Sequence, residues 1–134
     1  MKKITAILGA VLLSFSVSAT AQADDAKVLK RGAKVFKKCK ACHAIGPDAK
    51  NKVGPVLTDI VGRKAASIED FGGYSDELKA KAGEGLVWTE ENLRKFLDKP
   101  KEFLPGTAML FSGLRKDKDF DGIIAYLKAN GKKD

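Results

Sequence analysis

The chain has few of the residues that bind soft metals. Its 134 residues include one histidine, two cysteines and two methionines. A structural zinc site takes four Cys or His ligands, and the chain offers only three, so a complete site of that kind is excluded. No apolar run reaches the roughly 20 residues that a membrane-spanning helix needs. Sustained alternation of apolar and polar residues is also missing, which excludes a fold built on a half-buried sheet.

Three of these scarce residues fall in one pentapeptide, Cys39-Lys40-Ala41-Cys42-His43. Two cysteines three residues apart, followed directly by histidine, have the spacing of covalent c-type haem attachment. Because positions i and i+3 share one face of a helical turn, both sulfurs can reach the vinyl groups on one edge of a porphyrin. The pentapeptide therefore predicts one haem c per chain, attached through Cys39 and Cys42, with His43 as an axial iron ligand.

Other sites also contain a Cys-x-x-Cys pair: a disulfide, a thioredoxin-like redox pair and half of a zinc site. The zinc site lacks further ligands in this chain, and the thioredoxin-like pair needs a βαβ context that the helical and loop-like surroundings do not provide. In an oxidising compartment a Cys39–Cys42 disulfide would compete with haem attachment. Haem attachment is the interpretation that the following histidine favours.

The second axial ligand follows by elimination. Met1 begins a segment that we expect to be removed, and no second histidine exists, so Met109 is the only soft neutral ligand left. It follows the turn-rich segment 105–108, Pro-Gly-Thr-Ala, which can fold over a flat cofactor. Met109 as a core filler is the alternative, because methionine often fills gaps. His/Met ligation is typical of electron-carrying cytochromes c.

Residues 1–23 are predicted to be a cleavable signal peptide. Lys2 and Lys3 precede an apolar stretch over residues 4–15, and residues 21–23, Ala-Gln-Ala, form a small-x-small cleavage site. Cleavage after Ala21 is a second possibility, and an uncleaved membrane anchor is the alternative. A secretory signal of this kind places the protein in a bacterial periplasm. The mature part, residues 24–134, has the size of one domain.

The charge of the chain indicates its partners. The formal net charge is +8, and removal of Lys2 and Lys3 lowers it to +6. A basic exported protein is expected to meet acidic proteins or a membrane surface, and no aromatic-basic motif suggests nucleic acid. Lysines also flank the candidate haem site on both sides, which predicts a positive docking surface: Lys37, Lys38, Lys40, Lys50, Lys52, Lys99 and Lys101.

Apolar periodicity and capping residues predict an all-α domain. Helices are expected over residues 26–40, over 75–81 with Ser75 as N-cap, over 90–98 capped by Thr89, and over 117–130. Residues 44–58 are expected to be loop. Gly32 lies inside the first helix, where glycine costs about 1 kcal/mol relative to alanine. Its presence predicts that another helix crosses closely there.

The ordered set of motifs resembles class I cytochrome c, and within it the cytochrome c2 and mitochondrial-like group. The resemblance covers nearly the whole mature chain and implies several helices around one covalent haem, with the N- and C-terminal helices crossing. It rests on features in a fixed order: Gly32 and Phe36, the haem motif, Gly54-Pro55 with Leu57, Gly62-Arg63, Phe71, Tyr74, Trp88, residues 105–109, and Tyr126-Leu127.

The resemblance also implies roles for single residues. Gly32 and Phe36 would pack near Tyr126, and the Pro55 carbonyl would accept the other ring N–H of His43. A haem propionate would be bound by Arg63, Tyr74 and Trp88, with a similar contact from Thr107 beside Met109. Without the resemblance, the two aromatic residues would be interpreted as core and Arg63 as a solvated charge. Phe96 occupies a position where many relatives carry a tyrosine whose hydroxyl points at the methionine sulfur.

These features together predict a soluble periplasmic electron carrier, monomeric and without stable membrane insertion, rather than an enzyme. Its partners would present acidic surfaces, and a cytochrome bc1-type complex, an oxidase, a photosynthetic reaction centre or a reductase all meet that description. One alternative is a haem c enzyme or gas sensor with a labile sixth ligand. The other is an assembly factor in which the haem is structural.

Overall fold

The computed structural model describes residues 19–132, and within that range the protein is helical. The only paired extended backbone there is an isolated bridge between Lys64 and Val87. The expected all-α architecture is confirmed. In chain order the helices are α1 (Ala19–Phe36), α2 (Asp76–Gly83), α3 (Glu90–Asp98), α4 (Pro100–Phe103) and α5 (Asp117–Asn130).

The predicted bounds of the first helix were wrong at both ends, because α1 begins seven residues earlier and ends four residues earlier than expected. Alanine at positions 19, 21, 23 and 26, the residue with the highest helix propensity, favours helix ahead of residue 26, and Ala19 is the first residue that the structure describes. The early end follows from a change to tighter turns: the amide of Lys38 donates to the Val35 carbonyl at 2.9 Å, and that of Cys39 to Phe36 at 2.8 Å. The apolar stretch 4–15 of the predicted signal lies outside the described residues.

The other predicted helices have the expected caps. Ser75 accepts a hydrogen bond from the amide of Leu78 at the start of α2, and Thr89 accepts one from Asn92 at the start of α3. α3 ends ahead of Pro100, as predicted, and Pro100 then begins the four-residue helix α4, which was not predicted. Proline suits that position because the first helical residue needs no N–H partner within the helix.

α1 and α5 cross where both helices carry a glycine. A Cβ at Gly32 would lie 2.0 Å from the carbonyl oxygen of Gly122, so the two backbones touch. Beside the crossing, the rings of Phe36 and Tyr126 pack with centroids 5.0 Å apart. These contacts confirm the predicted close approach at Gly32. The first and last helices therefore close the fold on one side.

The segment between α1 and α2, residues 37–75, contains no helix. It carries the haem motif, Pro55, Arg63 and Tyr74 of the candidate site. It is held by hydrogen bonds to its own backbone and to the chain around Trp88. α3 and α4 supply an aromatic cluster in which the Trp88 ring packs against Phe96 at 5.0 Å and Phe103 at 6.3 Å. Within residues 19–132, no helix is long and apolar enough to cross a membrane.

Candidate haem-binding site

The pentapeptide forms one helical turn directly after α1. The amides of Cys42 and His43 both donate to the Cys39 carbonyl, at 3.0 and 2.9 Å. No disulfide joins the two cysteines, and Cys39 is half-buried against the core whereas Cys42 is exposed. The turn therefore presents two thiols and an imidazole in the local geometry that the sequence predicted.

Burial against the core makes the Cys39 thiol a weak nucleophile. Burial raises the pKa of the Cys39 thiol to about 11, against the opposing effect of Lys38, while Cys42 raises it further. At neutral pH the thiol stays protonated, and the thiolate is the form that exchanges or oxidises. The zinc alternative finds no support, because no three His, Cys, Asp or Glu side chains converge anywhere between residues 19 and 132.

His43 is held in one orientation by its backbone neighbours. Its Nδ1 lies 2.7 Å from the carbonyl oxygen of Pro55, as the resemblance implied. Burial lowers the pKa of the imidazole, opposed by that hydrogen bond, so the ring is neutral at physiological pH. A neutral ring whose Nδ1–H donates to a carbonyl keeps the lone pair on Nε2, which is the arrangement of a metal-bound histidine.

Gly54 completes this side of the site, and from sequence it stood out only as part of the Gly54-Pro55 motif of the resemblance. A Cβ there would lie 2.4 Å from Cε1 of His43 and 2.8 Å from Nδ1. The imidazole therefore packs directly on glycine backbone, and any side chain would displace it. Only the Gly-Pro pair that follows the haem motif at close spacing could have pointed to this role.

Arg63 is half-buried rather than solvated. Its guanidinium donates to the carbonyls of Thr58 at 2.7 Å and Val56 at 3.0 Å. Its Nε is fully buried and has no hydrogen-bond partner. Burial lowers the pKa of Arg63, and the nearby Tyr74 and Asp59 raise it. A buried donor without an acceptor is costly, so the residues present fit an acidic group, such as a haem propionate, at this point.

The other predicted propionate ligands lie around Arg63 to different degrees. Trp88 is buried, and its amide donates to the Arg63 carbonyl at 2.8 Å, which places the two residues side by side. The Tyr74 hydroxyl accepts a hydrogen bond from the Ile68 amide at 3.3 Å, and its ring meets Phe71 edge-on at 4.8 Å. Tyr74 therefore orders its own loop in addition to its proximity to Arg63.

Met109 lies at the end of an ordered turn. Thr107 Oγ1 accepts a hydrogen bond from the Met109 amide at 3.3 Å, and Gly106 adopts φ +87°, where glycine is favoured. Met109 is half-buried and packs against the same core cluster as Cys39. The structure thus brings the attachment turn and the methionine loop to one core, and Thr107 serves the backbone of Met109 directly.

An all-α domain with this attachment turn, a histidine held by a proline carbonyl and a methionine loop over the same core defines a class I cytochrome c. The comparisons agree with that definition. The family model of cytochrome c matches residues 29–130. A cytochrome c2 from Blastochloris viridis is 43% identical over 128 residues, which cover 96% of this chain and 93% of the relative.

Further relatives belong to the same group. A cytochrome c-550 from Ancylobacter novellus is 54% identical over 98 residues, covering 73% of this chain and 91% of the relative. Among solved structures, cytochrome c2 from Rhodospirillum centenum aligns with a TM-score of 0.71 at 38% identity, covering 76% of this chain and 97% of that chain. The chain belongs to the cytochrome c family, in its cytochrome c2 group. It is an electron-transfer protein rather than an enzyme, and carries haem c attached through Cys39 and Cys42.

Proposed function

We propose that this chain is a periplasmic electron carrier in which His43 and Met109 are the two axial ligands of the haem iron. The bound haem supplies one-electron chemistry, with iron alternating between its ferrous and ferric states. The observation that carries the proposal is the 2.7 Å contact between His43 Nδ1 and the Pro55 carbonyl. Because a carbonyl oxygen only accepts, the contact supports a proton on Nδ1 and a free lone pair on Nε2, the atom that would bind iron.

Met109 is proposed as the second ligand because the backbone that leads into it is fixed in a tight turn. The hydrogen bond from its amide to Thr107 and the left-handed Gly106 fix the backbone on both sides of a single turn. His43 and Met109 together would hold the iron with no open position for a substrate, which suits transfer of electrons and not chemistry on a bound molecule. The same argument disfavours a haem enzyme or gas sensor.

We assign the propionate contacts to Arg63, Tyr74, Trp88 and Thr107. The unpartnered Arg63 Nε is the strongest support, because a carboxylate there would satisfy a buried donor and neutralise a half-buried cation. Trp88 adjoins Arg63 through its backbone and carries an indole N–H, which can only donate. Thr107 accepts from the Met109 amide with its oxygen and retains its own hydroxyl proton for a further acceptor.

Export is the second part of the proposal. Residues 1–23 act as the signal, cleavage follows Ala23, and residues 24–134 form the mature domain. In the periplasm, a basic carrier can reach membrane-bound redox complexes on the side of the membrane that faces away from the cytoplasm. Mass spectrometry of protein purified from periplasmic extract would test both the cleavage position and the mass added by one covalent haem.

The proposed partners present acidic surfaces near the methionine loop and the attachment turn. A groove of about 560 Å³ runs between α4 and the residues that follow Met109, and Lys99, Lys101 and Arg115 contribute to its walls. Leu110 in that groove is 93% exposed, and the rim around it is positive on balance, although Glu102 also lines the groove and pairs with Lys99. Cytochrome bc1-type complexes, oxidases, photosynthetic reaction centres and reductases are all candidates for such a partner.

Replacement of the second ligand tests the proposal. In haem-loaded protein, Met109→Ala should abolish the weak red methionine–iron charge-transfer band of the ferric spectrum and lower the reduction potential, because the thioether raises that potential. Leu110→Ala is the matched control, since it changes the adjacent exposed side chain of the same loop. An unchanged band in Met109→Ala would remove Met109 from the coordination sphere. Rapid carbon monoxide binding by the native ferrous protein would favour the gas-sensor alternative.

A further inference from the structure

The peptide unit that holds His43 is itself held from the other side. The Pro55 carbonyl oxygen lies 2.7 Å from His43 Nδ1, and the Val56 N–H of the same peptide unit donates to Asn51 Oδ1 at 2.9 Å. A trans peptide unit is planar and directs its C=O and N–H in opposite directions. One rigid group therefore connects the His43 imidazole with the Asn51 side chain.

The side chain of Asn51 continues this connection to a carboxylate. Its Nδ2 donates to Asp70 Oδ1 at 3.1 Å. The orientation of the amide follows from its two neighbours, because a backbone N–H can only donate and a carboxylate can only accept. The result is an unbroken series of hydrogen bonds from Asp70 through Asn51 and the Pro55–Val56 peptide to His43.

We propose that Asp70 and Asn51 are positioning residues that strengthen His43 as an electron donor to iron through the Pro55–Val56 peptide. This inference rests on the proposed function in one respect, namely that His43 binds the iron. Hydrogen-bonded amides in series polarise one another. The Asp70 carboxylate draws on the Asn51 amide protons, which makes Oδ1 more negative, and Oδ1 in turn draws on the Val56 N–H.

The end of the series acts on the imidazole. A more negative Pro55 oxygen accepts a stronger hydrogen bond from Nδ1–H, and the ring becomes a more electron-rich ligand. Such a ligand stabilises ferric iron relative to ferrous iron and therefore lowers the reduction potential. Pro55, Val56 and Asn51 are all half-buried, so the middle of the series is partly shielded from water, while Asp70 lies at the exposed end.

Asp70→Asn is the first test, measured on exported, haem-loaded protein. It keeps an oxygen that can accept from Asn51 and removes only the charge. The reduction equilibrium constant should rise by about twofold, which is about 18 mV at 59 mV per tenfold change for one electron. The NMR resonance of His43 Nδ1–H should move upfield, because its hydrogen bond weakens.

Glu69→Gln is the matched control for charge alone. Glu69 is the exposed neighbour of Asp70, and it makes no hydrogen bond among the described residues. Its neutralisation should shift the potential less and leave the Nδ1–H resonance in place. Equal shifts in Asp70→Asn and Glu69→Gln would mean a through-space charge effect and would overturn the inference.

A double-mutant cycle with Asn51→Ala shows whether the effect passes through the amide. Asn51→Ala alone should raise the potential, and Asp70→Asn added to it should shift the potential no more than Glu69→Gln does in the wild-type background. Additive shifts would contradict the series. If Asn51→Ala lowers only the free energy of unfolding, with potential and Nδ1–H resonance unchanged, Asn51 is merely structural and the inference is wrong. If that variant does not accumulate, the Asp70 and Glu69 pair decides alone.

The failure of this inference can be told apart from failure of the proposed function. If the wild-type protein lacks the low-spin spectrum with its red charge-transfer band, the axial ligation is wrong. If that spectrum is intact in every variant and Asp70→Asn behaves like Glu69→Gln, the ligation stands and only the tuning role is lost.

Discussion

Gly54 packs its backbone directly on the His43 ring, so the position of the imidazole depends on a residue with no side chain. The nearest ring atom, Cε1, would be 2.4 Å from an added Cβ. Real Cβ atoms do not approach other atoms so closely, and the ring cannot retreat without losing its hydrogen bond to Pro55. The imidazole is thus fixed by contact on one side and by a carbonyl on the other.

Gly54→Ala should therefore disturb the haem site. We expect altered ferric absorption and a free energy of unfolding lower by about 1–3 kcal/mol, the usual cost of forcing a methyl group into a packed region. Gly72→Ala is the control, because a Cβ at Gly72 would meet nothing within 4 Å. Spectra and denaturant curves of the two haem-loaded variants check the prediction, which fails if both variants match the wild type.

Scarcity of a residue type is what allowed the sequence to point to single candidate residues. His43 and Met109 were chosen because almost nothing else in the chain could serve, and the local geometry at Cys39 and Cys42 depends only on neighbours in sequence. The contact of Gly54 with the His43 ring and the role of Asn51 were not predicted, because both depend on how separate segments fold together. No local pattern states that the amide at position 51 will meet the Val56 N–H.

At the scale of helices, α1 and α5 depend on a crossing between two glycines. An added Cβ at Gly32 would lie 2.0 Å from a backbone oxygen of α5, which cannot rotate away as a flexible side chain could. The helices would have to separate and would loosen the neighbouring contact of Phe36 with Tyr126. The crossing was predictable, because a glycine inside a helix lowers its stability relative to alanine and a close helix contact explains its presence.

Gly32→Ala should lower the free energy of unfolding by about 3 kcal/mol, at the upper end of the usual cost of overpacking. Gly83→Ala is the control in another helix, since a Cβ there meets nothing within 4 Å. Alanine at that position should be neutral or stabilising by up to about 1 kcal/mol. Equal urea midpoints for the two variants would contradict the close crossing.

An ion pair joins the same two helices and was not predicted. Asp119 is the one buried charged residue of the described range, and it pairs with Arg31, whose side chain is 34% exposed. Removal of one partner from a fully buried pair costs about 3–5 kcal/mol. Partial exposure of Arg31 allows water to replace the lost partner, so a smaller cost applies here.

Asp119→Asn should accordingly lower the free energy of unfolding by about 2 kcal/mol, measured at neutral pH. Asp117→Asn is the matched control, because both residues are in the first turn of α5 and only Asp119 contacts Arg31. Both substitutions remove the same favourable charge from the helix N-terminus. A difference of less than about 0.5 kcal/mol between them would show that the pair contributes little.

At the scale of the whole molecule, the positive charge of the chain matters most on the surface where a partner is expected to dock. Lysines beside the attachment turn are exposed, and Lys101 lines the groove next to Met109. Exposed charges act over about 8–10 Å at physiological salt and steer acidic partners before contact. Composition predicted the sign of this surface, but its groove requires the folded positions of α4 and the methionine loop.

Reduction by an acidic donor protein should slow steeply as ionic strength rises. Lys101→Gln should slow it several-fold at low salt, whereas Lys128→Gln, which removes the same charge from the α5 partner of Glu90, should have little effect. Stopped-flow rates across a salt series provide the measurement. Rates independent of salt, or equal losses in both variants, would argue against docking at the groove.

The contact between α1 and α5 determines how the protein should behave after a single protease cut. The first and last helices of the described range pack against each other. The chain between them is therefore a loop whose two ends are joined by a non-covalent contact. A protease cut in an exposed stretch between the two helices would leave two fragments that are still held together by the α1–α5 contact and by the covalently bound haem. Nicked protein should therefore elute from a sizing column as an intact particle until denaturant opens the helix pair.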